Sequence, residues 1–584
     1  MCGIYCIIPS SHTYSKKLIK NFIKGILEIQ NRGYDAVGFV LVLIEKDNSR
    51  KYVIKKSINK LEKENIYELE NVDDTSDQLC SLLIGHTRWA THGVNCIENT
   101  HPHICYMKRF SIVHNGIFEN YMTFKRKLIK ENINFSSDTD TEVIVNIISY
   151  NIHHDKISME ESLNNLHKTL KGTTSFIITD IITCKTYVFV KTNTIILCKT
   201  NDYIILISEK YGLPEGSMYT TLKDGVYLIN NQSVKNIIQT NESFIKHEPI
   251  GLYDKLINNS KTFFEQEIEQ QLITLSSKTN KDLKKIQFVQ QLLHTYDNLI
   301  IIGCGSSYIS GLYGYINISK SLDINTVCIN ACDFQQYYIP KKGKSIAILV
   351  SQSGETMDIV NLLPILKDKG IYIVSYCNSY ESTISKLSHL DINMCLDREV
   401  SVASTKSFTS TMAFMDTLSN NIINFSKTNI YVKIARAHIN CEYYNTFENI
   451  TLLGNETDYP LCLEGALKLK EICYINAYAY TIKELKHGPL ALITDKSLVF
   501  IISKNYNKDI STAKEITSRS GKVVIFTNTP EKDTVDIQHI PLPLGNISQY
   551  VSIIIIQYIA LGLSKIKQTD TDRPRNLAKT ITVG

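Results

Sequence analysis

The second half of the chain contains an internal repeat, which limits the possible folds more than any other feature of the sequence. YDNLIIIG at 296–303 has the same pattern as FENITLLG at 447–454, an offset of 151 residues. Two further pairs recur at offsets of 152 and 151 residues: SIAILVS at 345–351 with SLVFIIS at 497–503, and GIYIVSYCN at 370–378 with GKVVIFTNT at 521–529. Short apolar runs that end in turns, with helix-like stretches between them, are typical of parallel strands in α/β units. Residues 285 to 565 are therefore predicted to form two tandem doubly wound domains.

Hydroxyl-bearing residues follow two neighbouring predicted strands of the first repeat. They lie in GCGSS at 303–307 and SQSGET at 351–356. Ligands of such sheets bind outside the carboxyl ends of the strands, where Ser and Thr hydroxyls and free amides at a helix start can donate to an anion. Helix capping would explain either loop alone. Two such loops together favour a phosphate site, which we expect the second repeat to lack.

The second repeat carries a different kind of chemistry in the stretch 461–489. Lys468 and Glu471 are three residues apart and share one face if this stretch is helical, so that a carboxylate for acid/base work lies beside an ammonium. A solvated ion pair is the alternative. His487 precedes Gly488-Pro489, where a helix must end, and is a candidate proton carrier, although a single histidine is more often incidental.

The first 240 residues show a different sequence pattern, with the alternation typical of β-strands. They begin MCGIYCIIPS. Removal of Met1 would make Cys2 the first residue, with an α-amine of pKa about 8 as its own general base. A cysteine that merely starts a buried strand is the alternative.

Three clusters in this region fit a thiol that attacks a carboxamide. The Asn115 amide and the Gly116 N–H in HNGIFEN can supply two oxyanion donors, although Asn-Gly is also a common turn. Arg88 in GHTRWATHG suits the carboxylate of an amino-acid substrate, and Asp140 in SDTDTEV suits its amine.

The composition gives no reason to expect nucleic-acid or membrane binding. The chain has 584 residues, 43% of them hydrophobic, and a formal net charge of only +5. Its fifteen cysteines form no CxxC pair and no signal segment is evident, so we expect reduced thiols and a cytoplasmic location. The apolar run 550–566 is interrupted by Gln557 and is shorter than a membrane span, and we expect it to be a buried core helix.

A set of motifs spread over almost the whole chain resembles one family, the isomerizing glutamine–fructose-6-phosphate aminotransferases, also called glucosamine-6-phosphate synthases. The motifs are, in order, MCGI, NRGYDAVG, GHTRWATHG, HPH, VHNGIFEN, TDTEV, GCGSSY, SQSGET, VASTKSF, LEGALKLKEI, ELKHGPLALI and RPRNLAKTITV. The resemblance implies an α/β protein, with an N-terminal-nucleophile glutaminase domain of αββα type followed by two doubly wound sugar isomerase (SIS) domains. The implied bounds are 1–240 for the glutaminase, 241–284 for a linker, 285–430 and 431–565 for the SIS domains, and 566–584 for a catalytic tail.

The resemblance also implies roles for individual residues. Cys2 would be the nucleophile, with Asn115 and Gly116 as the oxyanion hole, and Trp89 would gate an ammonia tunnel. Glutamine would be held by Arg88, Thr91, His92 and Asp140. Fructose 6-phosphate would be bound by Ser306, Ser307, Ser351, Gln352, Ser353, Thr356, Val402, Lys468 and Ala578. In the isomerase, Glu471 would move a proton between sugar C1 and C2, His487 of a neighbouring subunit would help to open the ring, and Lys579 would form a Schiff base.

The implied reaction converts fructose 6-phosphate and glutamine to glucosamine 6-phosphate and glutamate, with channelled ammonia, as the first step towards UDP-GlcNAc. It requires no metal or organic cofactor, and a homodimer or homotetramer is expected. A non-catalytic sugar-phosphate sensor would not need Cys2 or Lys579, and other class II amidotransferases would lack two SIS repeats. One alternative is a chain whose glutaminase domain is inactive while its isomerase is active, because KTNTIILC at 191–198 departs from the Arg-x-Gly-x-Pro-Leu type of run that is usual in the family.

Overall fold

The computed structural model describes residues 2–10, 16–30, 33–44, 47, 49–58, 79–89, 94–214, 216–230, 234–237, 261–276, 282–379, 382–503, 506–529 and 533–579. They form two compact units, one within residues 1–255 and the other within residues 256–579.

The first unit contains two antiparallel β-sheets. Its strands are β1 Gly3–Pro9, β2 Ala36–Ile44, β3 Arg50–Ile58, β4 Leu79–Arg88, β5 His103–Ile104, β6 Phe110–Gly116, β7 Thr174–Asp180, β8 Thr186–Lys191, β9 Ile196–Lys199, β10 Tyr203–Ile207, β11 Tyr219–Thr221, β12 Gly225–Ile229 and β13 Val234–Asn236. One sheet has the order β11-β9-β10-β1-β4-β2-β3, and the other has the order β13-β12-β8-β7-β6-β5. The helices are α1 Lys16–Ile29, α2 Tyr121–Lys130, α3 Asp140–His153 and α4 Met159–Thr169.

Strand β1 shows why these elements form four layers. Its side chains alternate between the two faces of the sheet, since successive residues of a strand point to opposite sides. Tyr5 and Ile7 pack in a core with α1, whereas Ile4 and Cys6 pack in a core shared with the second sheet. The helices α2, α3 and α4 cover the far side of that second sheet. The expected αββα arrangement is confirmed.

The second unit contains two parallel sheets of the same topology. Their strands are β14 Asn298–Gly303, β15 Asn325–Asn330, β16 Ser345–Ser351, β17 Tyr372–Cys377 and β18 Leu390–Asn393, then β19 Asn449–Gly454, β20 Ala477–Thr481, β21 Ser497–Ser503, β22 Lys522–Thr527 and β23 Ile537–Pro541. The orders are β15-β14-β16-β17-β18 and β20-β19-β21-β22-β23. The repeat seen in the sequence is confirmed, since its three strand pairs are β14 with β19, β16 with β21, and β17 with β22.

Helices surround both parallel sheets. They are α5 Phe263–Ser276, α6 Leu283–Leu293, α7 Ser306–Ser321, α8 Met357–Val360, α9 Leu363–Asp368, α10 Thr383–Leu387, α11 Lys406–Leu418, α12 Thr428–Arg436, α13 Cys441–Tyr444, α14 Tyr459–Cys473, α15 Tyr506–Thr517 and α16 Ile547–Ile566. Within the range predicted to be a linker, 241–284, helix α5 packs into the core of the second unit through Phe264 and Ile268.

Helix α16 contains the apolar run 550–566 and is the one helix in the described part of the chain that is long and apolar enough to cross a membrane by length and composition. The expectation that this run is too short is therefore wrong by those two criteria, because the helix starts at Ile547, before the run begins. In its most apolar window, however, 94% of the residues are buried inside the protein. The expected buried core helix is confirmed.

Candidate active sites

Cys2 lies where three distant segments of the first unit meet. Gly3 pairs with Thr87 of β4, so the end of β4 runs beside Cys2. The Trp89 backbone N–H donates to the Cys2 Sγ at 3.2 Å, and the Asn115 side-chain Nδ2 donates to the Cys2 carbonyl at 2.9 Å. Strands β1, β4 and β6 thus bring together the candidate nucleophile, the candidate gate and the candidate oxyanion donor.

Gly116 ends β6 in a conformation that other residues rarely adopt. Its φ is +121°, and a Cβ at this position would lie 2.0 Å from the Thr173 carbonyl oxygen. Any side chain would push β6 away from β7, with which Gly116 pairs. The backbone N–H next to Asn115 is therefore held in a fixed place, as an oxyanion donor must be.

The segment that departs from the family pattern, 191–198, contacts this site directly. The Asn193 Nδ2 donates to the Asn115 carbonyl at 3.1 Å. The Lys191 Nζ donates to the carbonyls of His167 and Leu170 at 2.8 and 2.6 Å. This stretch therefore supports the backbone of Asn115, and Asn193 is a supporting residue that the sequence analysis missed.

Arg88 and Asp140, the expected glutamine-binding pair, are both largely buried. The Asp140 Oδ2 accepts the Phe118 N–H at 2.8 Å, and Asp140 begins α3, whose N-cap Thr139 accepts the Glu142 N–H. The Arg88 Nη1 donates to the Val94 carbonyl at 3.4 Å. Thr91 and His92, the other two expected glutamine ligands, lie outside the described residues.

Four buried histidines behind this site were also missed: His86, His101, His103 and His114. The His101 Nδ1 lies 3.1 Å from the His86 Nε2, which lies 3.0 Å from the His114 carbonyl oxygen. Burial lowers the pKa of His86 to about 3 and the pKa values of His101 and His103 well below their ordinary range. The rings of His86, His101 and His103 are therefore neutral at pH 7, and His86 contacts the backbone of the strand that carries Asn115. In the sequence, the only indication of a role for these histidines was that they lie within the motifs GHTRWATHG, HPH and VHNGIFEN.

In the second unit, the phosphate-type loop of the first repeat contacts the acid/base helix of the second. Ser306, the first residue of α7, donates through its Oγ to the Glu464 Oε1 at 2.9 Å. The Lys468 Nζ lies 3.4 Å from the same Ser306 Oγ, 3.2 Å from Glu464 and 2.5 Å from the Glu471 Oε2. Lys468 is fully buried, so the alternative of a solvated pair is wrong.

The electrostatics of this cluster follow from its burial. Burial raises the pKa of Glu464 to about 7. Burial alone would lower the pKa of Lys468, but the Glu464 and Glu471 carboxylates outweigh it and raise that pKa. Lys468 is therefore a permanent cation beside Glu471, the candidate proton carrier. Glu464, which was missed, lies on the same helix face because it is four residues before Lys468.

The second hydroxyl loop, 351–356, follows β16 and is folded by its own side chains. The Ser351 and Thr356 hydroxyl oxygens are 2.9 Å apart, and the Ser351 Oγ accepts the Gly354 N–H at 3.0 Å. The Ser353 Oγ accepts the Glu355 N–H at 3.2 Å. Strands β14 and β16 are neighbours in the sheet, so the loops that hold Ser306-Ser307 and 351–356 lie at one edge, as expected. The Gln352 carbonyl accepts the Asn378 N–H from the loop after β17.

The C-terminal tail, 566–579 in the described residues, docks on the segment before α11. The Val402 N–H donates to the Asp572 carbonyl at 3.1 Å. The Lys579 Nζ donates to the Glu399 Oε2 at 2.7 Å, and the Lys579 side chain is only 8% exposed. Lys579 is thus no solvated surface lysine, and its neighbour Ala578 is half-buried near it. Glu399, its counter-ion, was missed.

A second buried carboxyl, Glu267 on α5, lies close to Glu399. Burial would raise the pKa of Glu399, but Lys579 outweighs it and lowers that pKa to about 2. Burial, together with the Glu399 charge, raises the pKa of Glu267 to about 8. At neutral pH Glu399 is thus an anion paired with Lys579, and Glu267 holds a proton.

The proton on Glu267 makes the free energy of unfolding depend on pH. Between pH 4.5, the ordinary value for a glutamate, and about pH 8, folded Glu267 keeps a proton that the unfolded chain has released. The free energy of unfolding should therefore fall as pH rises across this window, by at most about 1.4 kcal/mol per pH unit from this residue. Glu267→Gln should remove that part of the slope in denaturant unfolding. Glu269→Gln, at a more exposed position on the same helix, should keep it, and equal slopes for all three proteins would refute the assignment.

His487 is placed away from Glu471 of the same chain. It is exposed and ends the 3₁₀ turn Glu484–His487 after β20. Leu485 of that turn packs on the face of the second sheet that bears Leu453 and Val499. Helix α14, which carries Glu471, packs on the opposite face, with Leu452 and Phe500. The structure therefore does not bring His487 and Glu471 together within one chain.

Comparison with known proteins agrees with this architecture. Residues 86–195 match the model of a glutamine amidotransferase domain, and residues 292–420 and 444–561 match that of the SIS domain. Proteins named glutamine–fructose-6-phosphate aminotransferase (isomerizing) are 30% identical in Aquifex aeolicus and 32% identical in Buchnera aphidicola subsp. Baizongia pistaciae, each over 100% of both chains. A probable member from Acanthamoeba polyphaga mimivirus is 30% identical, also over the full length of both. The C-terminal domain of the Francisella tularensis glucosamine-fructose-6-phosphate aminotransferase aligns to 54% of this chain and 98% of its own, with 26% identity and a TM-score of 0.48.

An amidotransferase domain with a cysteine at its first strand, joined to two SIS domains, defines a glutamine-dependent amidotransferase with a sugar-isomerase module. The chain belongs to the glutamine–fructose-6-phosphate aminotransferase (isomerizing) family.

Proposed function

We propose that this enzyme uses the amide nitrogen of glutamine to convert fructose 6-phosphate to glucosamine 6-phosphate, with release of glutamate. The observation that carries the proposal is the contact between the two SIS repeats, in which Ser306 of a phosphate-type loop meets Glu464 and Lys468 beside Glu471. Such a contact combines sugar-phosphate binding with proton transfer, and the first unit supplies the thiol that an amide donor requires.

In the glutaminase reaction, the α-amine of Cys2 first takes the proton of the Cys2 thiol. The resulting Cys2 thiolate then attacks the carboxamide carbon of glutamine. The developing oxyanion receives hydrogen bonds from the Asn115 Nδ2 and the Gly116 N–H. Arg88 binds the substrate carboxylate and Asp140 its ammonium. Ammonia leaves with the proton that the amine holds, and water hydrolyses the resulting thioester to glutamate.

In the isomerase reaction, hydroxyls of the loops at 306–307 and 351–356 bind the phosphate. His487 of the partner subunit assists ring opening, and the Lys579 amine condenses with the C2 carbonyl, releasing water. Ammonia then displaces Lys579 at C2. Glu471 takes a proton from C1 and returns it at C2, while the C1 hydroxyl proton passes to the nitrogen. The ketose imine thereby becomes the aldose amine.

The surroundings of Lys468 and Lys579 support these roles. Lys468 holds the Glu471 carboxylate in place, since its Nζ lies 2.5 Å from the Glu471 Oε2. Glu399 orients the Lys579 side chain, because it accepts a hydrogen bond from the Nζ. Four donors of 405–407 fix its carboxylate: the N–H and hydroxyl groups of Thr405 and of Ser407. A nucleophile on a chain terminus needs such support to reach its target reproducibly.

The same proposal includes channelled ammonia, with Trp89 as the gate between source and tunnel. It also includes a cytoplasmic location, which agrees with the absence of disulfides among the fifteen cysteines, all of which lie in the described residues.

The function is tested by incubating the purified enzyme with fructose 6-phosphate and glutamine and measuring both products. Glucosamine 6-phosphate and glutamate should form in equal amounts. Glutamate without amino sugar, or glucose 6-phosphate as the sole sugar product, would contradict the proposal.

An isomerase site built from residues of two subunits can be tested by mixing two inactive variants. Because His487 and Glu471 lie on opposite faces of the second sheet, an isomerase site needs His487 from one subunit and Glu471 from another. Glu471→Gln and His487→Ala should each be inactive alone. When the two are unfolded, mixed in equal amounts and refolded, half the dimers are mixed and half of their sites intact, so about a quarter of the wild-type activity should return. A mixture as inactive as its components would show that the two residues act in one chain.

A further inference from the structure

Three side chains with metal-binding atoms meet at the carboxyl edge of the first parallel sheet. Cys304 follows β14, Cys332 lies in the 3₁₀ turn Ala331–Asp333 after β15, and Asp358 is in the first turn of α8 after β16. These strands are adjacent in the order β15-β14-β16. The two sulfurs and a carboxylate oxygen of Asp358 all lie within 4.8 Å of one another. In the described part of the chain this is the one group of His, Cys, Asp or Glu residues with such spacing.

The distance between the sulfurs fits a shared tetrahedral ion. Zn²⁺–thiolate bonds of about 2.3 Å at the tetrahedral angle place two sulfurs about 3.8 Å apart. The Cys304 and Cys332 sulfurs are 3.8 Å apart. A disulfide would need only the two sulfurs, whereas the adjacent carboxylate completes a donor set of two sulfurs and one oxygen. Thiolates favour Zn²⁺ and similar ions over Mg²⁺ and Ca²⁺, which take oxygen ligands.

We propose that Cys304, Cys332 and Asp358 bind one divalent cation of the Zn²⁺ type, with water at the fourth position. Binding replaces the two S–H protons by metal–sulfur bonds, and both protons pass to solvent. No electron is transferred, so no oxidant is needed. The proposal does not rest on the proposed reaction, since none of the three ligands has a role in that reaction.

The ion ties together segments that follow three different strands of the sheet. Cys304 lies two residues before Ser306, and Asp358 lies two residues after Thr356. A bound ion therefore fixes the start of α7 and the start of α8 to the turn at 331–333, and it restrains both hydroxyl loops. Binding should raise the melting temperature, because an ion bound only by the folded state stabilises that state by mass action.

The test uses the full-length enzyme, reduced and stripped of metal with a chelator, and titrated with Co²⁺ as a spectroscopic probe and with Zn²⁺ in competition. Wild type should bind one Co²⁺ with the near-ultraviolet absorption of cobalt–thiolate bonds, and Zn²⁺ should displace it. Cys332→Ser, at an exposed position, and Asp358→Asn should each weaken Co²⁺ binding at least about 100-fold. Loss of a residue that only hydrogen-bonds a metal ligand weakens metal binding by up to about 100-fold, and loss of a ligand itself should cost no less. Cys395→Ser, a cysteine of the same domain outside the group, should bind like wild type.

Two results of the Co²⁺ titration would overturn the proposal. One is the absence of Co²⁺ binding with thiolate absorption in wild type, and the other is equal affinity in wild type and Cys332→Ser. The rise in melting temperature with Zn²⁺ gives a second readout, which wild type and Cys395→Ser should show and the two ligand variants should not. A rise that is the same in all four proteins would place the ion elsewhere.

Discussion

Replacement of Cys2 by alanine is expected to abolish the use of glutamine while leaving the conversion of fructose 6-phosphate intact. The loss should be on the order of 10⁶-fold, the size found when a hydrolase loses its nucleophile. Cys2 belongs to the first compact unit, whereas the proposed isomerase residues all lie in the second. A folded variant should therefore still isomerise the sugar, and it should still make glucosamine 6-phosphate when ammonium salts replace glutamine.

The matched control for this variant is Cys96→Ala. Cys96 is also half-buried and lies in the same unit, but it takes no part in the proposed reaction, so both activities should persist. Loss of the isomerase activity in folded Cys2→Ala would contradict the division of labour. Retained glutamine hydrolysis would show that another residue is the nucleophile.

Replacement of Lys468 by methionine is expected to cost both stability and isomerase activity. Methionine keeps the length of the side chain but leaves Glu464 and Glu471 without their cation in a buried site. Breaking a buried ion pair in this way costs about 3–5 kcal/mol. Isomerisation should fall by about 10²–10⁴-fold, as when a general base is lost, because Glu471 loses its counter-ion. Urea unfolding and the rate of aldose formation measure the two effects.

Two further variants distinguish a charge effect from a general disturbance of α14. Lys470→Met changes a lysine two residues away that is exposed, and its unfolding free energy should stay within about 0.5 kcal/mol of wild type. Adding Glu464→Gln to Lys468→Met removes one of the two unpaired carboxyl groups and should recover part of the lost stability. If Lys468→Met and Lys470→Met are equally stable, the cluster has no energetic role.

The central strands were predictable because their signal is local. Strands such as β16 and β21 are buried on both faces, so each is a continuous apolar run that stands out at a constant offset. The edge strands β15 and β20 were not found by the repeat. β15 reads NTVCIN and β20 reads AYAYT, so the two sequences do not resemble each other, and both strands are only partly buried.

The missed residues share a different cause, which is that their partners are distant in the sequence. Glu399 is 180 residues from Lys579, and Ser306 is 158 residues from Glu464. No periodicity or spacing in the sequence indicates that such distant residues are in contact. Only the folded sheets and the docked C-terminal tail bring them together. Cys2 and Asn115 were found because their motifs carry recognisable chemistry in themselves.

The transfer of nitrogen from glutamine to the sugar is the central claim, and isotope labelling tests it most directly. The enzyme is incubated with fructose 6-phosphate, glutamine carrying heavy nitrogen in its amide group, and unlabelled ammonium in the medium, and the glucosamine 6-phosphate is analysed by mass spectrometry. We expect heavy nitrogen in the amino sugar made by wild type and unlabelled nitrogen in that made by Cys2→Ala. Amino sugar from wild type that carries only nitrogen from the medium would contradict that claim.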